Sequence, residues 1–295
     1  MAPTSSFQKP LPEQSFAKVL FPQPHTILII FNRPRHLNSM PTAVHHAMHN
    51  LLTWYDNEPS LRCCVVTGAG RAFSAGADLK EWDQHNASRQ AGKEGVRQPL
   101  PAGGFGGLSR RTGKKPVIGA INGLAYGGGM EAVANLDIVV ASKSAKFCLS
   151  EVKRGVVAAA GALPRLARAI GRVRAMEMAL TGRVVSADEG QQFGFVNYVA
   201  DDHATPTAED EDEIIQRPVV QKALAIAKDI SANSPDSVII SKAGVNSGWE
   251  EGSVENATRV QDLLYSQRLA DGENIHEGVK SFVEKREPRW RDSKL

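Results

Sequence analysis

Cysteine, aromatic residues, long apolar runs and net charge are all scarce in this 295-residue chain, and each scarcity removes a class of function. Three cysteines are too few for a disulfide framework. Cys63 and Cys64 are neighbours on an apolar strand, where adjacent side chains face opposite sides and cannot pair, so with Cys148 they read as reduced core thiols. No apolar run is long enough to span a membrane, and the N-terminus lacks the charged-then-apolar order of a secretory signal, so the expectation is a soluble protein that is not exported. Lys and Arg exceed Asp and Glu by only 3, too little to argue for nucleic acid.

Several familiar motifs are missing too. Gly68-Ala69-Gly70 follows a strand, but Phe73 stands where a dinucleotide fingerprint needs its third glycine. Gly113-Lys114-Lys115 lacks both the earlier glycine and the following hydroxyl of a phosphate loop. Ser74 has no nucleophile elbow around it. His45, His46 and His49 fall on one helix without an acidic or thiolate companion and read as solvated, so no metal is expected.

What is present is an alternation of strands and helices. Residues 1–24 hold five prolines and read as a flexible arm. Residues 25–200 read as an α/β core: a strand over 26–31, a helix over 39–56, a strand over 61–67, a short helix over 79–85, a strand over 116–121, the first turns of a helix over 131–136 and a strand over 137–141. Such alternation builds parallel strands with right-handed crossovers, here repeated as a spiral of strand–strand–helix turns. Residues 86–113 are glycine-rich and aperiodic, and read either as a flexible wall for a pocket or as an ordinary loop. Residues 214–292 carry four stretches with apolar residues at helical spacing: 219–233, 235–246, 254–269 and 275–286.

One segment carries chemistry. Gly127-Gly128-Gly129 runs into Met130-Glu131 between a strand and a helix start, where side-chain-free backbone leaves N–H groups unpaired beside the positive end of the helix dipole. Such a turn stabilises an anion. Glu151 follows at the end of an extended stretch, and a second glycine-bearing turn, Ala72 to Lys80, follows the strand over 61–67. Two turns can supply a pair of donors, and two carboxylates can share their cleft.

These residues resemble the crotonase (enoyl-CoA hydratase/isomerase) superfamily. The likeness rests on Phe31-Asn32-Arg33-Pro34 with Leu37-Asn38-Ser39-Met40; Ala72 to Lys80; Lys115 to Ile118 with Asn122-Gly123 and Gly127 to Glu131; Asp137-Ile138; Ala179 to Gly182; and Glu277-Gly278 with Phe282 to Arg286. It implies a spiral of ββα units with a C-terminal helical trimerisation region, a homo-trimer or hexamer, and hydration of a 2-enoyl-CoA thioester with no cofactor beyond the CoA that the substrate brings. The amides of Ala77 and Gly128 would face the thioester oxygen, where losing one such donor costs about 3 kcal/mol. Glu131 would activate the water and Glu151 protonate the α-carbon, one of the two holding a proton near neutral pH. Substrate and CoA contacts would fall on Arg33, Arg35, Leu37, Ala75, Gly76, Asp78, Leu79, Lys80, Tyr126 and Gly127. Phe282 and Lys285, three apart on one helix face, would serve a neighbouring subunit's site. Where many hydratases carry a Pro-Gly-Ala-Gly-Gly run, this chain has Val157 to Ala162, in which the Ala159 N–H is expected to remain available to the attacking water.

Alternatives stay open at this point. An isomerase or an acyl-CoA thioester hydrolase could use the same donors, and Arg165, Arg168, Arg172 and Arg174 could mark an RNA-binding member, although no aromatics are interleaved for stacking. Ser293-Lys294-Leu295 matches the peroxisomal address read by a soluble import receptor, so a peroxisomal location is expected.

Overall fold

A computed structural model describes residues 7–90, 98–205 and 207–295. Residues 1–6 of the expected arm and 91–97 of the expected pocket wall lie outside the described residues. The chain opens with β1 (Ala17–Gln23), β2 (Thr26–Phe31) and α1 (Thr42–Asn57). Three strand–strand–helix turns follow: β3 (Cys63–Gly68), β4 (Ala72–Ser74) and α2 (Leu79–Gln90); β5 (Val117–Ile121), β6 (Leu124–Tyr126) and α3 (Gly128–Val133); β7 (Ile138–Ser142), β8 (Lys146–Cys148) and α4 (Ala162–Ile170). Then come α5 (Arg172–Thr181), β9 (Val185–Ser186), α6 (Ala187–Phe193) and β10 (Tyr198–Ala200).

The first strand of each turn enters a six-stranded sheet, ordered β1-β2-β3-β5-β7-β10, and the second enters a four-stranded sheet, β4-β6-β8-β9. In the larger sheet β2, β3, β5, β7 and β10 run parallel. This is the expected spiral.

Burial on both faces explains the continuous apolar strands. Ile27, Ile29 and Phe31 of β2 join Cys64 and Val66 of β3 on the face toward the smaller sheet, while Leu28, Ile30, Cys63 and Val65 face the opposite side. That second face is covered by α8 (Pro218–Ser231) through Val219, Val220, Ala223, Leu224 and Ala227. The cysteines are all free and buried, and burial pushes the Cys64 thiol up to about 12.

Two expectations are corrected. The arm is not loose over its described part: β1 pairs antiparallel with β2, and Phe7 packs on Phe21 and Trp54 with ring centroids 5.0 and 5.2 Å apart. Proline density pointed to a tail, but Pro22 falls near the end of an edge strand, where proline is tolerated, and Pro24 lies just beyond it. Residues 98–113 do form a pocket wall, through Gln98, Pro99, Leu100 and Phe105, but a packed one, since Phe105 and Leu108 are buried in the main core.

Beyond α7 (Glu211–Gln216) and α8, the C-terminal region continues as α9 (Pro235–Glu250), α10 (Val254–Ala270) and α11 (Glu273–Val283). No helix among the described residues is long and apolar enough to cross a membrane. α11 ends at Val283, and Lys285 lies beyond it with φ +53°, so Phe282 and Lys285 do not share a helix face as expected.

Candidate active site

The turn between β3 and β4 is held by side chains from far along the chain. Asn38 Nδ2 donates to the carbonyls of Ala69 and Ala72 at 2.9 and 2.7 Å, and Asn122 accepts from Gly68 N while donating to Gly70 O, both at 3.0 Å. Arg217, buried, donates to the carbonyls of Gly68, Gly70 and Ala208. Ser74 Oγ donates to Asn38 O and accepts from Gly76 N, which sets the direction in which the chain leaves β4.

That direction matters for Ala77. The loop pairs with the 33–40 turn through Met40 N to Gly76 O and Asp78 N to Met40 O. By the alternation of an extended chain, the Ala77 N–H points away from this pairing. Gly128 is the first residue of α3, where helix N–H groups have no intrahelical acceptor. The two turns touch: a Cβ on Gly76, which sits at φ +94°, would lie 2.9 Å from Tyr126 O and 3.1 Å from Gly128 N.

A cavity of about 660 Å³ opens there, lined among others by Ala75, Ala77, Leu79, Tyr126, Gly127, Gly128, Glu131 and Glu151. Glu131 projects from α3 and is only 4% exposed. Its Oε2 accepts the Ala162 N–H at 3.2 Å, and the amides of Ala160 and Gly161 also favour its charged form. Burial, assisted by the Glu151 charge, outweighs these donors and pushes Glu131 up to about 7. Glu151 begins a 3-10 turn over Glu151–Arg154 and is half-buried, with its acidity also weakened by burial. Its Oε2 is buried without a hydrogen-bond partner among the described residues. Two carboxyls whose acidity burial weakens, lining one cavity with Ala77 and Gly128, can deliver and remove water across a double bond next to a carbonyl.

The remaining expected contacts are dispersed. Arg33 pairs with Asp78 at 3.2 Å and donates to Ser39 O, so its guanidinium ties the 33–40 turn to the 75–80 loop. Arg35 and Lys80 are exposed, Leu37 is half-buried in a left-handed turn, and Gly76 is buried and not among the residues lining the cavity. Phe282, 86% exposed, and Lys285 are not among the residues lining their own chain's cavity.

Three readings are corrected here. The Ala159 N–H is taken by Val157 O at 2.8 Å, in a tight turn that leaves the next three amides to Glu131. His45 is not solvated: it is buried, lines the cavity, accepts the Gly106 N–H at Nδ1 and packs 4.6 Å from the Phe105 ring. Arg165, offered above as part of an RNA-binding stretch, turns inward to Asn135 and Gly161. Among the described residues no cluster of His, Cys, Asp or Glu could hold a metal. Sequence reasoning missed Phe105, Ser109 and Gly161, whose signal was diluted in glycine- and alanine-rich runs.

A spiral of ββα turns that brings two amides and two glutamates to one cleft defines an acyl-CoA enzyme of the hydratase and isomerase class. The family model described as enoyl-CoA hydratase/isomerase matches residues 23–293, and the chain belongs to that family. It is 49% identical over 292 residues to mevalonyl-coenzyme A hydratase SIDH of Beauveria bassiana, covering 98% of this chain and all of that protein. Mevalonyl-coenzyme A hydratase sidH of Aspergillus fumigatus is 45% identical over 277 residues, covering 94% of this chain and 95% of its own length. Among solved structures, an enoyl-CoA hydratase from Mycobacterium tuberculosis H37Rv aligns with a TM-score of 0.79 at 29% identity, covering 95% of this chain and all of that one.

Proposed function

We propose that this chain is a hydratase whose acyl substrate is that of mevalonyl-CoA and its 2-enoyl dehydration product. The observation that carries the reaction is the meeting of Glu131, Glu151, Ala77 and Gly128 at one cavity. Support for the acyl group comes from two relatives, 49% and 45% identical over nearly their full lengths, that bear the mevalonyl name. In the hydration direction Glu131 takes a proton from water, the oxygen bonds to C3, charge moves to the thioester oxygen between the two amides, and Glu151 gives a proton to C2. Dehydration runs these steps backward. CoA arrives with the substrate, and no other cofactor enters the scheme.

The test is direct. Purified protein given mevalonyl-CoA should build up the conjugated absorbance of the enoyl thioester, with a kcat/KM above that for unbranched 3-hydroxyacyl-CoA. Double-bond migration or release of free CoA in place of hydration would select the isomerase or thioesterase instead.

The proposal extends to assembly and location. Val245, Leu263, Leu264, Val279 and Phe282 are exposed on α9, α10 and α11, and this apolar surface supports a trimer or a pair of trimers. Ser293-Lys294-Leu295 supports peroxisomal import, which microscopy of the tagged protein would test.

A further inference from the structure

The backbone amides around Glu131 are not held by their own turn alone. We propose that Ser109 and Arg165 are positioning residues for hydration, each gripping from its carbonyl side one of two consecutive peptide units whose N–H groups, those of Gly161 and Ala162, face the Glu131 carboxylate together with the Ala160 N–H. The inference rests on the reading of Glu131 as the water-activating base.

A peptide unit is planar, so fixing its carbonyl fixes its N–H. Ser109, fully buried, donates its hydroxyl to Ala160 O at 2.7 Å, and that carbonyl shares a plane with the Gly161 N–H. Arg165 donates through Nη1 to Gly161 O at 3.1 Å, and that carbonyl shares a plane with the Ala162 N–H, which reaches Glu131 Oε2 at 3.2 Å. Gly161 sits at φ +120°, a conformation that L side chains rarely adopt and that lets successive N–H groups turn to one side. Arg165 is itself aimed, its Nε donating to Asn135 Oδ1 at 2.6 Å, while Asn135 Nδ2 donates to Leu108 O and Arg111 O.

Ser109 also accepts the Phe105 N–H at 2.8 Å, and Phe105 packs on Gly128. One hydroxyl therefore ties the base to the wall of the oxyanion site. Donation to a carbonyl polarises the amide and strengthens its N–H as a donor, and donors to a carboxylate favour the ionised form. Without either grip, Glu131 rises further and is less ionised at neutral pH. Glu151 pushes in the same direction; the other titratable groups around the site are His45 from α1, Tyr126 from β6, Cys148 from β8, Lys153 and Arg154 from the turn that Glu151 begins, Arg110 beside Gly161, and Arg165 itself from α4.

The experiment compares the unsubstituted protein with Ser109→Ala and Arg165→Met, measuring kcat and KM for a 2-enoyl-CoA against pH. The Glu131 carboxyl is titrated in parallel by infrared difference spectroscopy, its band assigned by its absence from Glu131→Gln. We expect kcat at pH 7 to fall about tenfold with KM within about twofold, and the acid limb and infrared titration to move up by about one pH unit, so that activity partly returns in alkali. Folded variants with an unchanged Glu131 titration would overturn the proposal, as would a lower melting temperature with an unmoved acid limb. If Ser109→Ala does not fold, Arg165→Met, altered at a half-buried side chain, decides alone. If the unsubstituted protein shows no hydration, the hydratase reading fails, while the infrared titration still decides whether Ser109 and Arg165 hold the carboxylate.

Discussion

The ring of Phe105 occupies the place where Gly128 would carry a side chain: a Cβ there would lie 2.4 Å from two ring carbons. The first amide of α3 is thus backed by a buried aromatic, and residue 128 has no room to grow. Gly128→Ala should force the ring or the amide to move and lower kcat about a hundredfold, the scale of losing one oxyanion donor. Phe105→Ala in the same chain should return part of the activity. Turnover of a 2-enoyl-CoA by the single and double variants checks this, and no rescue would show that Phe105 is not the obstacle.

Glu131 also makes stability depend on pH. Its folded pKa of about 7 lies above the ordinary 4.5, so the native state binds a proton more tightly than the unfolded chain. Stability from this group is fully present below about 4.5 and is lost as pH rises through about 7, a change of about 3 kcal/mol. Glu131→Gln removes the titration. Relative to the parent, that variant should gain stability between pH 5 and pH 8, measured by denaturant unfolding at both; equal slopes for the two proteins would contradict the raised pKa.

Asp78 joins two functions in one side chain. It pairs with Arg33 across the turn and accepts the Lys80 N–H at the start of α2. Asp78→Ala should cost about 1–2 kcal/mol, a lost cap plus a partly buried pair. Because the loop bearing Ala77 is tied down here, kcat should fall as well. A stability loss with unaltered kcat would mean that the 75–80 loop keeps its shape without this tie.

How much of this was legible in sequence depends on whether a feature is local. Gly127 to Glu131 and Ala72 to Lys80 could be read because strand, glycine turn and helix start lie within a dozen residues. The spiral followed from the alternation of elements. Asn38, Asn122 and Arg217, which secure the turn after β3, could not be assigned, since each acts on backbone carbonyls that only the folded chain brings near. The same holds for Ser109, which reaches a carbonyl 51 positions away. His45 was misjudged because a histidine triplet on one helix says nothing about which face is buried. β1 was missed because Pro22 and Pro24 bracket its end, and an edge strand needs only half the hydrogen bonds of a central one.

The two glutamates separate hydration from isomerisation. Adding water requires one group to take a proton from water and another to give a proton to C2, whereas moving a double bond can be run by a single carboxylate. Glu131 is held by backbone amides, and Glu151 presents a buried Oε2 with no partner among the described residues, so the two are not interchangeable. Glu131→Gln and Glu151→Gln should each reduce hydration by at least about a hundredfold, with the fold retained. Because the two act as a unit, the double variant should be little worse than either single one. Hydration of a 2-enoyl-CoA and migration of the double bond in a 3-enoyl-CoA, followed in parallel for all four proteins, provide the check. Near-normal hydration by Glu131→Gln would refute the assignment of the base, and double-bond migration lost only on removing Glu151 would mark the chain as an isomerase.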